Sequence, residues 1–240
     1  MNNLNLIFTM HKLNGACNPD TLYDIIKVIS PDIIFEELSY TNYDKVYNAK
    51  TLTTLETTAI KKYLKSNNIK HIPVDTYPMP DDFDDNIEYM LGELLNRFEL
   101  QESFELKNLL DKQSSLISSN GFSFLNSDNN NRIFEEMDIL KEKMLGKINS
   151  EKLYIIAQLE KDVIEKRENK ILNNIFDYIR EHTCKQALLF IGSGHRKAFI
   201  DKILFKNDVE GDKIRIITKY YPYAKDLYIK DSSFIPKVSK

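Results

Sequence analysis

Four histidines stand in the chain, and two of them follow strand-like runs. His11 comes directly after the apolar run Leu4 to Met10. His195 comes after Ala187 to Ile191 and the short turn Gly192-Ser193-Gly194. In an open parallel sheet the C-terminal ends of the strands form the edge where ligands bind. An imidazole on that edge can move a proton near neutral pH or hold a metal ion. A carboxylate reaches the same edge, because the run Ile33 to Phe35 ends in Glu36-Glu37-Leu38. Adjacent strand residues point to opposite faces, so only one of the two acids looks into the cleft. Two histidines and a glutamate form the ligand set of a divalent-metal site or an acid/base site. His71 begins its strand on the opposite edge and His182 closes a helix, where a cation meets the dipole favourably. Those two read as structural.

Two of only seven glycines, Gly192 and Gly194, flank Ser193 in the turn before His195. Backbone N–H groups exposed there can hold an anion or a developing oxyanion. The third glycine of a dinucleotide fingerprint is missing, and so is a Lys-Ser/Thr phosphate loop. A long helix over Ser150 to Thr183 carries an apolar stripe that includes Leu153, Ile156, Val163, Ile171 and Ile175. Glu160, Arg167 and Asn174 recur at seven-residue spacing along that stripe, and charges on a buried face need partners. Two readings are open. Glu160 and Arg167 satisfy each other or a neighbouring carbonyl, or Arg167 reaches the cleft to orient a carboxylate or bind an anionic substrate group. The acidic run Asp81-Asp82-Phe83-Asp84-Asp85 lacks the ligand spacing of an EF-hand and reads as a solvated helix start. Neither Cys17 nor Cys184 has a paired motif or an evident activator.

The elements that must position these residues alternate. Strand Leu4 to Met10, a helix through Leu22, Ile25, Ile26 and Ile29, strand Ile33 to Phe35, a helix over Thr51 to Asn67 and strand Lys70 to Val74 follow one another. This order predicts an α/β fold with a mainly parallel β-sheet flanked by helices. The alternation resumes at Ala187 to Ile191, a helix from His195 to Phe205, and a last strand Lys213 to Thr218. Between them, residues 80–150 read as a helical insertion into a single α/β domain spanning 1–240. The insertion opens with a helix over Asp81 to Lys112, and its Ser- and Asn-rich stretch 113–131 is expected to be a polar flexible loop. The tail Tyr220 to Lys240 reads as an irregular aromatic arm, suited to pack on a second copy as a homodimer.

Composition narrows the function classes. The chain has 240 residues, 33 Lys and Arg against 36 Asp and Glu, and a formal net charge of -3. Without a cationic field or a clustered basic face, nucleic-acid binding is not indicated. No apolar run has the length to span a bilayer. The N-terminal MNNLNLIFTMHK lacks the marks of a signal peptide, and two cysteines suit a cytoplasmic setting.

Four blocks in order resemble the TraB/Tiki family, within the erythromycin esterase-like and ChaN-like superfamily. They are FTMH, PDIIFEEL, the helix segment KRENKILNNI and the turn GSGH. In that family a first strand ends in G-T-x-H and a second reads P-D-x-V-x-x-E-L. A helix R-D/N-x-x-M-A-x-N and a turn G-x-G-H follow. Here Phe8 stands where the family has its first glycine, and Glu168 follows Arg167 where the family has Asp or Asn. The resemblance implies that His11, Glu37, Arg167 and His195 line a site, with Glu37 the acid that directly precedes the leucine. It implies a hydrolase. Tiki-type members depend on a metal, so a divalent ion (Zn, Mn or Co) would sit on His11, Glu37 and His195; esterase-like members activate water with His and Glu alone. Gly192, Ser193, Gly194 and Asn174 would contact a small-molecule or peptide substrate. The alternative is a non-enzymatic module that keeps the fold and binds a ligand or partner.

Overall fold

A computed structural model describes residues 2–182, 184–210 and 214–218. The expected aromatic arm lies outside them. The elements run β1 (Asn2–Thr9), α1 (Pro19–Ile29), β2 (Ile33–Glu36), α2 (Tyr40–Tyr47), α3 (Leu55–Leu64), β3 (Lys70–Pro73), α4 (Phe83–Leu95) and α5 (Gln101–Leu125). They continue with α6 (Asp128–Ile148), α7 (Glu151–Glu181), β4 (Gln186–Gly192), a 3-10 turn (Ser193–His195), α8 (Arg196–Glu210) and β5 (Ile214–Ile217). The five strands form one sheet in the order β3-β2-β4-β1-β5, every pairing parallel. The expected α/β class is therefore observed. No helix among the described residues is long and apolar enough to cross a membrane.

Strand alternation sorts the core into two layers. Leu4, Leu6, Phe8, Ile33, Phe35, Leu189 and Ile191 face the C-terminal half of α7 and α8. Ile7, Ile34, Leu188 and Phe190 face α1, α3 and the helices that follow. Phe8, where the resemblance would place a glycine, is fully buried in the first layer and so stays out of the cleft. The chain leaves β1 for β2 in one direction and β4 for β5 in the other, while β1 and β4 lie side by side. Their shared C-terminal edge is a topological switch point, where open α/β sheets leave a crevice.

The middle of the chain differs from the expectation in two ways. The expected helix over residues 81–112 is split, because Asn96 ends α4 and the Ser103 hydroxyl donates to the Leu95 carbonyl, 2.9 Å away, capping that end. The stretch 113–131, expected to be a flexible loop, is helical except for a kink at Gly121 (φ +58°) and the short link between α5 and α6. Its polar side chains bond back to their own helix, Ser119 to the Ser115 carbonyl and Asn120 to the Leu116 carbonyl. Hydroxyl and amide groups thus lose little by being helical there. Ile117, Phe122, Phe124 and Leu125 are buried in the core and supply the driving force. Helix α2, not anticipated, begins where the Ser39 hydroxyl accepts the Asn42 N–H.

The loop after β1 is pinned to this insertion. Gly15 has a φ of +54°, and a Cβ there would fall 2.3 Å from the Ser118 carbonyl oxygen, the same oxygen that accepts the Ala16 N–H. Gly92, inside α4, has open space around it. In urea denaturation, Gly15→Ala should lose ~1–2 kcal/mol from the left-handed backbone alone, and more from the collision. Gly92→Ala should gain roughly 0.5–1 kcal/mol, because alanine loses less freedom in a helix interior.

Candidate active site

Glu37 follows β2 directly, on the face shared with α7 and α8. Its Oε2 accepts the Gly192 N–H at 2.6 Å, so the end of β4 holds the end of β2. Its Oε1 accepts from Arg167 Nη2 at 3.1 Å. The same guanidinium donates through Nε and Nη2 to Asp75 Oδ2, at 3.1 and 2.7 Å. Burial opposes the charge on Arg167, but Asp75 and then Glu37 outweigh it and hold the guanidinium firmly cationic. Of the two readings for Arg167, the structure shows the one in which it reaches the cleft carboxylate. Glu160 instead meets Lys141 at 3.5 Å.

His195 sits beside this pair. Its Nε2 lies 3.6 Å from Glu37 Oε1, and its Nδ1 lies 2.7 Å from Glu168 Oε1. An ionised carboxylate only accepts, so the short bond to Glu168 places a ring N–H on Nδ1. Glu168 is buried and also meets Lys202 at 2.9 Å. Desolvation works against its charge, but hydrogen bonds from His195 and Lys202 prevail and hold the carboxyl below its usual range.

His11 is oriented by a different acid. Its Nδ1 lies 3.3 Å from Glu56 Oε1, which also accepts the Thr9 hydroxyl at 2.7 Å. The Glu56 bond raises the His11 pKa above its ordinary value despite some desolvation. Glu56 itself is lowered, its burial overcome by His11 and Thr9. Thr9, His11, Glu37 and Glu56 share a small cavity of about 30 Å³, room for a water molecule.

The divalent ion expected on His11, Glu37 and His195 does not suit this arrangement. Both oxygens of Glu37 already accept from Arg167 and Gly192, and a guanidinium beside that carboxylate repels a dication. His11 is turned to Glu56. Among the described residues no three His, Cys, Asp or Glu gather in a way that could hold a metal ion.

Gly192 and Asn174 take other duties than those expected. The Gly192 N–H is committed to Glu37, and Ser193 is buried. Gly194 faces Phe134, 3.8 Å from where its Cβ would be. Asn174, expected to touch substrate, donates to the Val74 carbonyl and the Thr76 hydroxyl, both at 2.8 Å, and so brackets Asp75. Three acids escaped the sequence reading as site residues. Asp75 follows the third strand just as Glu37 follows the second, so the strand-end rule could have found it. Glu168 shares its helix with Arg167 and stood out only as a departure from the pattern that the chain resembles. Glu56, in the first turn of α3, gives no local signal. On the opposite face of β2, Glu36 is engaged by the Tyr47 hydroxyl and His71 Nδ1, each at 2.7 Å. Both thiols are buried, and burial pushes the Cys17 pKa up to about 12, far from a nucleophilic thiolate.

No family model, curated protein or solved structure matches the chain.

The folded pKa of Glu168 lies below its ordinary value of 4.5, so the ionised carboxyl favours the folded state. That contribution is complete above the ordinary value and is lost as pH falls through the folded one. The stability difference between the wild type and Glu168→Gln, measured by urea denaturation across pH, should therefore stay level near neutrality. It should close as pH drops below 4.5.

Proposed function

We propose that the chain is a hydrolase that activates water with His195 and Glu37 at the C-terminal edge of the sheet. The observation that supports this most is His195 held between two carboxylates, Glu168 on Nδ1 and Glu37 facing Nε2. In this reading a water bound by Nε2 and Glu37 attacks an acyl carbon. As the new C–O bond forms, the water's proton passes to Nε2, and Glu168 stabilises the imidazolium. Negative charge then grows on the carbonyl oxygen. N–H groups of the turn at Gly194, at the N-terminal end of α8, supply the positive field there. The imidazolium returns the proton to the leaving group, the acyl bond breaks, and an acid and an alcohol or amine depart. Arg167 keeps Glu37 in position, and His11 serves as a second proton-transfer group on the same edge. The resemblance to the TraB/Tiki family and its superfamily supports the same reaction class, and the donor arrangement favours the metal-free chemistry of the esterase-like members.

A second reading, a binding module, has one observation in its favour. Arg167 lies against Glu37, where a working site of the metal type would hold its ion. A panel of carboxylic esters separates the two. On the hydrolase reading, His195→Ala lowers kcat by roughly 10²–10⁴-fold, Glu37→Gln lowers it as well, and a chelator leaves the rate unchanged. If the wild type cleaves nothing, or if both variants keep the wild-type rate, the binding module takes its place.

A further inference from the structure

A groove of about 690 Å³ is bounded by α6, α7 and the start of α8, with Gly194 and His195 in its wall. Apolar side chains line its interior: Phe134 from α6, beside Gly194, then Leu145, Ala157 and Ile164. Cavities of this size hold elongated small molecules.

The charges around it are unevenly shared. Five carboxylates and three lysines line the groove, and each lysine is already engaged. Lys141 meets both Asp138 and Glu160 at 3.5 Å. Lys161 meets Glu142 at 3.0 Å, across the gap between α7 and α6. Lys202 meets Glu168 at 2.9 Å and the Glu165 carbonyl at 3.3 Å. An entering anion would have to break one of these pairs and would still face the acidic excess. Exclusion of one charge sign selects substrate as surely as attraction of the other.

We infer that this groove binds the non-reacting part of the substrate, and that the substrate is an amphipathic ester or amide with an apolar chain and no negative charge. The bond type rests on the hydrolase reading; the charge and shape preference rests on the groove alone. Phosphorylated and carboxylated ligands are thereby excluded.

Matched p-nitrophenyl esters whose acyl chains end in methyl, trimethylammonium or carboxylate test the preference. The first two should be cleaved with kcat/KM at least about tenfold above the third. The double variant Asp138→Lys and Glu165→Lys, outside the reacting groups, should narrow that ratio. A carboxylate ester cleaved as well as the others overturns the inference. Calorimetric titration with decyltrimethylammonium and with decanoate, below micellar concentration, gives a readout without turnover. The ammonium compound should bind at least about tenfold more tightly, and Ala198→Trp should weaken it. Ala198 is exposed on α8, so the larger side chain intrudes on the groove without disturbing the core. Ammonium binding without cleavage of any ester keeps the groove assignment and removes the hydrolase reading. Equal binding of decanoate, no binding of either compound, or an unchanged affinity in Ala198→Trp overturns the groove assignment.

Discussion

Asp75 and Glu37 leave neighbouring strands at the same edge, and two carboxylates so placed repel each other. The guanidinium of Arg167 makes the arrangement tenable. It lies within 3.1 Å of one and 2.7 Å of the other, and all three side chains are largely removed from water. A planar fork with several donors can serve two acids where a lysine would serve one well. The charges are costly to bury, and removing one partner from such a group leaves the others uncompensated, a loss of ~3–5 kcal/mol. Helix α7 therefore functions as a spine for the site. Arg167 sets Glu37 and Asp75, Glu168 sets His195, and Asn174 fixes the backbone on both sides of Asp75.

The alternation of β2 explains how consecutive acids come to have different surroundings. Glu37 shares the face of Ile33 and Phe35 and meets α7 and the β4 turn. Glu36 shares the face of Ile34 and meets α2 and β3 through Tyr47 and His71. Burial and the Glu36 carboxylate raise the Tyr47 pKa far out of reach, so that hydroxyl is a fixed donor at any physiological pH. The two histidines repeat one theme on different strand ends. Each has a buried acid at Nδ1, Glu56 for His11 and Glu168 for His195.

Much of this was legible in the sequence because short continuous apolar runs report strands buried on both faces, and strand ends report the ligand edge. His11, His195 and one acid of the pair Glu36-Glu37 follow from that rule, the resemblance points to Glu37, and Arg167 follows from a charge on an apolar stripe. What was not legible depends on contacts remote in sequence. Glu56 reaches His11 across the first βαβ unit, and nothing near residue 56 signals it. The serines and asparagines of α5 suggested a loop because their polarity is visible locally. Their bonds back to the helix, and the buried aromatic end of that helix, are visible only in three dimensions. Asn174 had the right helix face and the wrong partner, since spacing places a side chain without naming what it meets.

Among the described residues, β5 pairs with β1 as far as Asn5, and no described strand lies on the outer side of Phe8. The Asn126 side chain fills that place, accepting the Phe8 N–H and donating to the Phe8 carbonyl, both at 2.9 Å. One amide thus imitates the next strand. Backbone groups on a strand margin need partners, and at Phe8 a side chain at the junction of α5 and α6 supplies them. The α5–α6 junction is thereby tied to β1 through backbone groups that the described strands do not use.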